Sequence, residues 1–461
     1  MVLFKDILKK TPALQFLFEN LRLASGIGRD YMLNQPFITD SEILQKELNN
    51  VAFTCQWLEN KDNQTYFSKI IHLLSTINDI KTTISRLSSE KILDDIELFE
   101  IKKFALTVSE IIGYLNEGNF HILNFESLSE AVALLDPENS KIPHFYIYAL
   151  YDERLTEIRK RITNAETDTE AEHYHWQCTK IEDQVRTKLS EKLISFASQL
   201  SVNLTLTARL DMLLAKAQLA TQWVCCLPKI SDTKNKYKAL FHPITKNRLG
   251  KEGKQFQYID IELFSSPCLI TGANMSGKTI FLKTVAFAQY MFQFAFFVPA
   301  KEAEINIVED IYFCSEEIDP QLSGLSSFAL EILTIDHLIK QVKEGRKLLI
   351  LVDEPARTTN PTEGRALVSA LTTILVKHNA LALVTTHYAG VHTNCRRLRV
   401  KGLEFEGDID HITPQNINQY MNYQLVETEN EEVPHEALKI AEILKVDREL
   451  LEIAIKEVDR T

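Results

Sequence analysis

Glycine is scarce in this chain: 461 residues hold 14, and few lie before residue 230. Tight left-handed turns therefore have little material in the first half, which favours helices there. Cysteine supplies no framework. Cys55, Cys178, Cys225, Cys226, Cys268, Cys314 and Cys395 are odd in number and scattered, without a C-x-x-C pair. That argues against a disulfide scaffold or a zinc site and fits reduced thiols in a cytoplasmic protein. Adjacent Cys225 and Cys226 read as packing residues at a helix end. No apolar run is long enough to span a bilayer. The most apolar stretch, 285–298, is interrupted by Gln289 and Gln293. Charge arrives too early at the N-terminus, at Lys5 and Asp6, for a secretory signal. A basic excess is also missing: 51 Lys and Arg face 63 Asp and Glu, a net charge of −12. This opposes a broadly basic nucleic-acid surface. Low-complexity tracts and internal repeats do not occur. The remaining composition, 45% apolar and 25% charged, is that of an ordinary globular protein. The length suits roughly two to four domains.

Against this background residues 271–279 stand out: Thr-Gly-Ala-Asn-Met-Ser-Gly-Lys-Thr. The apolar run Pro267-Cys268-Leu269-Ile270 precedes them and Ile280-Phe281-Leu282 follows. Strand, G-x-x-x-x-G-K-T, helix is a P-loop in its proper setting. Gly272 and Gly277 let the backbone of Ala273, Asn274, Met275 and Ser276 wrap a phosphate chain. The N–H groups then face negative oxygens, and the helix presents its positive end to them. Lys278 reaches the β- and γ-phosphates, and Thr279 is placed to ligate Mg²⁺. ATP with Mg²⁺ is the expected ligand pair.

A second apolar run, Lys347 to Val352, ends in Asp353-Glu354. Asp353 at a strand end can hold Mg²⁺, and Glu354 can polarise an attacking water. A third run, Ala380 to Val384, ends in Thr385-Thr386-His387-Tyr388. His387 is thereby expected at the same sheet edge, as a γ-phosphate sensor.

Upstream, apolar spacing of three and four predicts a helix through 67–87 and an unbroken strut from Leu189 to Trp223. Strands begin beyond Leu227 to Asp232: 256–261, the P-loop strand, 311–313, the Asp353 and His387 strands, and 398–400. Alternating strands and helices read as a doubly wound α/β domain. Residues 434–453 form a closing helical pair, with Pro434 near its start.

The residues 238–390 resemble the MutS family of DNA mismatch-repair ATPases. Phe241-His242-Pro243 is similar to the family's Arg-His-Pro box. Residues 271–279 are similar to its Thr-Gly-Pro-Asn-Met-Gly-Gly-Lys-Ser, and Val298-Pro299-Ala300 to the end of its next helix. Ser326 to Glu331 resemble its Ser-Thr-Phe-Met-x-Glu, which implies that Ser326 reaches a partner subunit's nucleotide. ABC and SMC ATPases carry a Leu-Ser-Gly-Gly signature that is missing here. Weaker likeness covers 26–40, 80–87 and the tail 435–454, the last resembling a helix-turn-helix dimerisation segment.

The departures bear on function. No mismatch-reading or connector segment precedes the core, and only 163–183 occupies the place of the family's DNA clamp. Its tip carries Glu166, Asp168, Glu170 and Glu172, the wrong sign for phosphate contacts. After Glu354, Pro355-Ala356-Arg357-Thr358-Thr359-Asn360-Pro361 replaces the family's glycine-containing loop. It resembles that of truncated MutS-related proteins associated with adenosylcobalamin-dependent lysine aminomutases.

The resemblance therefore implies an all-α core and lever domain over 1–231. A mostly parallel P-loop NTPase domain of the ABC/MutS type follows over 232–430, then a dimerisation segment over 431–461. A homodimeric ATPase is expected, with Glu354, Lys278, His387 and the partner's Ser326 in catalysis. What the levers grip stays open between DNA, bound weakly and without mismatch preference, and a partner protein remodelled or reactivated by ATP. No membrane role is expected.

Overall fold

The computed structural model describes residues 2–9, 11–142, 144–272, 277–314, 327–404, 411–413, 416–428 and 436–458. Among them every named element before Lys229 is helical, and a mixed α/β region follows. Local chemistry sets the helix starts. Asp94 accepts the Glu97 N–H while the Glu97 carboxylate accepts the Asp94 N–H, a reciprocal cap on helix Asp95–Glu117. Asp40, Asp152 and Thr167 cap three further helices in the same spirit.

Two helices expected to be continuous are broken. The stretch 67–87 splits into Gln64–Ser75 and Lys81–Ser88. The strut comprises Asp168–Leu193, a 3₁₀ turn Ile194–Phe196, and Ala197–Trp223. A 3₁₀ turn continues the helical spacing and needs neither Gly nor Pro, so the apolar pattern runs through it unmarked. Nor is Ala197–Trp223 a free lever. Leu204, Ala208, Leu210, Leu213, Leu214 and Ala217 are buried in one core. Met212, Ala215 and Leu219 enter another, which also holds Phe4, Leu14, Phe37 and the P-loop helix Lys278–Gln293.

Polar groups lock this spine where it meets the rest. Asp211 accepts from the Ala24 and Ser25 N–H groups at 2.9 and 2.8 Å and from the Ser25 hydroxyl at 2.6 Å. Lys216 donates to the Phe294 carbonyl at 2.7 Å, just beyond the C-terminus of the P-loop helix, and lies 4.5 Å from the Phe296 ring centroid. Gln289 and Gln293, which interrupt the most apolar run, are fully buried. Gln289 accepts from Asn235 and donates to Gln293 and the Asn306 carbonyl. Gln293 donates to the carbonyls of Ile38 and Val308.

Burial pulls the Lys216 ammonium down to about 7. An unfolded lysine near 10.4 then holds its proton where the folded one has released it, so stability rises with pH from about 7 towards 10. Relative to Lys216→Met, the parent should gain about 2 kcal/mol between pH 7 and 9. Urea unfolding at both pH values checks this; parallel pH profiles would refute it.

A second buried cation holds the helical region together. Lys102 and Asp136 pair at 3.0 Å with both side chains fully buried. Lys102 also donates to the His144 carbonyl and the Tyr148 hydroxyl. Asp136 accepts the Lys141 N–H and the Ser140 hydroxyl. Lys102→Met should destabilise the protein by about 3–5 kcal/mol, because Asp136 is left as an uncompensated buried charge. Adding Asp136→Leu should recover part of that loss in urea unfolding. No recovery would mean that the carboxylate is not what makes the single change costly.

Beyond the spine the strands are β1 (Lys229–Ser231), β2 (Lys234–Leu240), β3 (Ile259–Phe264), β4 (Cys268–Thr271), β5 (Glu302–Asn306), β6 (Asp310–Cys314), β7 (Leu348–Val352), β8 (Leu381–Thr386), β9 (Arg396–Leu403) and β10 (Met421–Glu427). They form a four-stranded sheet, β1-β5-β2-β3, and a six-stranded sheet, β10-β9-β4-β8-β7-β6. In the larger sheet β10 is antiparallel to β9 and all other neighbours are parallel. β7, all apolar, and β8, apolar up to Thr385 and Thr386, are buried at every position, as suits central parallel strands. Helices Glu436–Ile443 and Arg448–Val458 end the described chain. Among the described residues no helix is long and apolar enough to cross a membrane.

Candidate nucleotide site

Strand order assembles the site. β8 lies between β4 and β7, and the three run parallel, so their carboxyl ends share one edge. Thr271 pairs with Thr386 and Val352 with Val384. Gly272, Asp353 and His387 therefore emerge side by side, where ligands of parallel α/β sheets bind.

Gly277 opens the P-loop helix at φ +81°, and a Cβ there would lie 3.1 Å from the Tyr423 ring. Only glycine takes that conformation without strain. Lys278 follows, nearly enclosed at 4% exposure. Its ammonium donates to the Gly272 carbonyl at 2.7 Å and lies 3.1 Å from Glu354 Oε1. Thr279 donates its hydroxyl to Asp353 Oδ2 at 2.6 Å. Thr385 donates to the other oxygen, Oδ1, at 2.7 Å, while its own oxygen accepts the Glu354 N–H at 2.9 Å. Both Asp353 oxygens are thus aimed by hydroxyls.

His387 Nδ1 is 3.5 Å from Glu354 Oε2, and Arg357 Nη1 is 3.8 Å from the same oxygen. His387 first and Lys278 next hold the Glu354 carboxyl down to about 2, against burial that would raise it. Glu354 is ionised throughout the physiological range. It is an acceptor only, suited to orienting a water rather than donating to one.

The hydroxyl of Thr279 and the carboxylate of Asp353 are hard oxygen donors within 2.6 Å of each other, the donor chemistry that Mg²⁺ selects. A cavity of about 550 Å³ opens beside Gly277 and Lys278. Arg248, Phe256, Gln257 and Tyr423 line it, giving two aromatic faces and a guanidinium. Its volume falls in the range of small-ligand sites. Gln257 fixes one wall, donating to the Met421 carbonyl and accepting the Tyr423 N–H.

Lys278, Thr279, Asp353, Glu354 and His387 are brought together, with Gly272 and Gly277 beside them. Ala273, Asn274, Met275, Ser276 and Ser326 lie outside the described residues, as does Pro434. His242 does not join the cluster. Its Nδ1 faces the Thr245 N–H at 3.4 Å at the start of helix Pro243–Lys251, and burial pushes its pKa down to about 4. Its place is structural. Thr385, Phe256 and Tyr423 are additions from the structure. The Thr-Thr-His run at a strand end signals Thr385, but no local pattern marks the two aromatics, which only the fold brings to one cavity.

Residues 268–460 match the family model described as MutS domain V. The chain is 35% identical over 238 residues to the endonuclease MutS2 of Ruminiclostridium cellulolyticum, covering 50% of this chain and 29% of that protein. It is 30% identical over 207 residues to the DNA mismatch repair protein MutS of Thermus aquaticus, covering 45% and 24% respectively. It is 32% identical over 204 residues to MutS protein homolog 4 of Mus musculus, covering 44% and 21%. The chain thus spans less than a third of the length of each of these curated relatives. MutS domain V is an ATPase domain, and an ATPase domain implies nucleotide binding. Residues 268–460, which carry the P-loop after β4 and the carboxylate pair after β7, thus form a MutS domain V.

Proposed function

We propose that the protein hydrolyses ATP with Mg²⁺ and uses the nucleotide state to move its helical region. One observation carries this reading: Lys278, Thr279, Asp353, Glu354 and His387 converge on one sheet edge, linked by contacts of 2.6 to 3.5 Å. Thr279 and Asp353 would hold Mg²⁺, which supplies charge neutralisation at the β- and γ-phosphates. Lys278 binds the same phosphates, Glu354 orients the water, and His387 sits beside it as donor to developing charge. Catalysis of this kind is positioning and electrostatics, without a covalent intermediate.

The route to the helices is short. Lys216 and the Gln289–Gln293 pair tie the far end of the P-loop helix to the spine and to the N-terminal segment. A homodimer is part of the reading. Leu450, Ile453, Ile455 and Val458 are exposed on the last helix, an apolar face suited to a second copy.

For the motor's object we favour a partner protein. The corner between helices Glu153–Thr163 and Asp168–Leu193 exposes Glu166, Asp168, Glu170 and Glu172, which repel phosphate backbones. DNA is the rival object, favoured by the relatives' names. Phosphate release should require Mg²⁺ and be unchanged by added DNA. Anisotropy with homoduplex and G·T heteroduplex should show equal, weak binding that vanishes as salt rises through the physiological range. Submicromolar affinity with mismatch preference would overturn the protein reading. No Mg²⁺-dependent phosphate release from the dimeric chain would overturn the ATPase reading.

A further inference from the structure

The turn after β7 is bent in a way its residues resist. Glu354 has φ +47° and Ala356 φ +61°, both left-handed and neither glycine. A side chain at such a position is strained and persists only where its surroundings over-determine it. Ala356 is also almost completely buried, at 1% exposure.

Its peptide groups are gripped from two sides. Glu331, in helix Ser327–Lys343, accepts the Ala356 N–H on Oε1 at 2.8 Å. Tyr388, directly after His387, donates its hydroxyl to the Ala356 carbonyl at 2.6 Å. The Tyr388 hydroxyl occupies a slot over Gly364, where a Cβ would come within 2.4 Å of it. The Tyr388 backbone is fixed in turn, its N–H donating to the Thr386 hydroxyl at 3.1 Å. Glu331 and Tyr388 thus hold the two peptide groups that flank Ala356, two residues beyond Glu354, and Gly364 leaves room for the Tyr388 hydroxyl.

We propose that Glu331 and Tyr388 are positioning residues for hydrolysis. Holding Ala356 in its left-handed conformation keeps the preceding turn closed. That turn in turn keeps the Glu354 carboxylate facing Lys278 and His387. Without either hydrogen bond, Ala356 relaxes towards an ordinary backbone conformation and Glu354 swings off the water it must orient. Nucleotide binding, which depends on the P-loop, is not weakened. This inference rests on the ATPase reading above.

The test is a set of three variants in the full-length protein. Glu331→Ala and Tyr388→Phe should each lower kcat about tenfold, ~1.4 kcal/mol on the barrier. The affinity for a non-hydrolysable ATP analogue should not fall, since the P-loop is intact and only the transition state loses support. Glu331→Gln keeps an acceptor oxygen and should retain most of the parental kcat. A second readout needs no turnover: trypsin cleavage after exposed Arg357 should quicken in Glu331→Ala and Tyr388→Phe and not in Glu331→Gln. Parental kcat with parental cleavage in both disrupting variants would overturn the clamp. So would a matched loss of kcat and nucleotide affinity, which signals general damage. If the parent itself hydrolyses nothing, the ATPase reading falls, and the cleavage rates at Arg357 still decide whether Glu331 and Tyr388 hold the turn.

Discussion

Lys278→Ala should cost the protein its tight ATP binding, with affinity for a fluorescent analogue falling at least about 100-fold, ~3 kcal/mol. The ammonium is nearly enclosed and already desolvated, so its charge acts at close range on whatever anion enters. The substitution also strands Glu354. Its carboxyl, held near 2 by His387 and Lys278, loses one of two supports. A carboxylate with a depressed folded pKa adds stability above its unfolded value near 4.3, and that contribution disappears as pH falls towards 2. The variant should therefore lose less stability than the parent between pH 4.5 and 3. Equilibrium titration of the analogue, with acid unfolding beside it, reads both effects. Analogue binding at parental affinity would remove Lys278 from the phosphate site.

Gly272, Gly277, Lys278 and Thr279 were legible because the chemistry is local: one motif supplies turn, cation and hydroxyl within a single short stretch. Asp353, Glu354 and His387 were legible for a related reason. Each follows an apolar run, His387 after Thr385 and Thr386, and parallel strands put such ends on one edge whatever their order. The order itself, with β8 between β4 and β7, is a matter of tertiary pairing.

Of the four-stranded sheet only β3 was anticipated, overlapping the strand read at 256–261; β1, β2 and β5 escaped notice on physical grounds. β1 has three residues, and β2 reads Lys-Asn-Lys-Tyr-Lys-Ala-Leu, far from an apolar run. Asn235 within it is fully buried because Gln289, 54 residues on, supplies its partner. Lys102, Asp211 and Lys216 defeat pattern reading in the same way, since a charged residue on a helix looks solvated until its partner is known. The departure at 355–361 was visible as missing glycine. In the fold Ala356 adopts the glycine-like conformation and three neighbouring side chains hold the turn. Sequence spacing carries no trace of such a brace.

Glu354→Gln should lower kcat about 10²- to 10⁴-fold while leaving nucleotide and metal in place. The amide keeps the size of the carboxylate but loses the charge that turns a water towards phosphorus. Asp353 keeps both its hydroxyl partners, Thr279 and Thr385, so the metal position is not disturbed. Affinity should move the other way. In the present arrangement the Lys278 ammonium is 3.1 Å from Glu354 Oε1, so an incoming phosphate competes with that carboxylate for the same cation. Neutralising Glu354 removes the competitor, and the analogue should bind a few-fold tighter than to the parent. Tighter binding with blocked turnover separates a water-orienting group from a binding one, because a lost binding contact would weaken both. Single-turnover phosphate release and analogue titration on the same preparation make the comparison. Release at the parental rate would take Glu354 out of the reaction. Weaker analogue binding would place it among the groups that hold nucleotide, and its contact with Lys278 would then be a support for the P-loop rather than a contest with ATP.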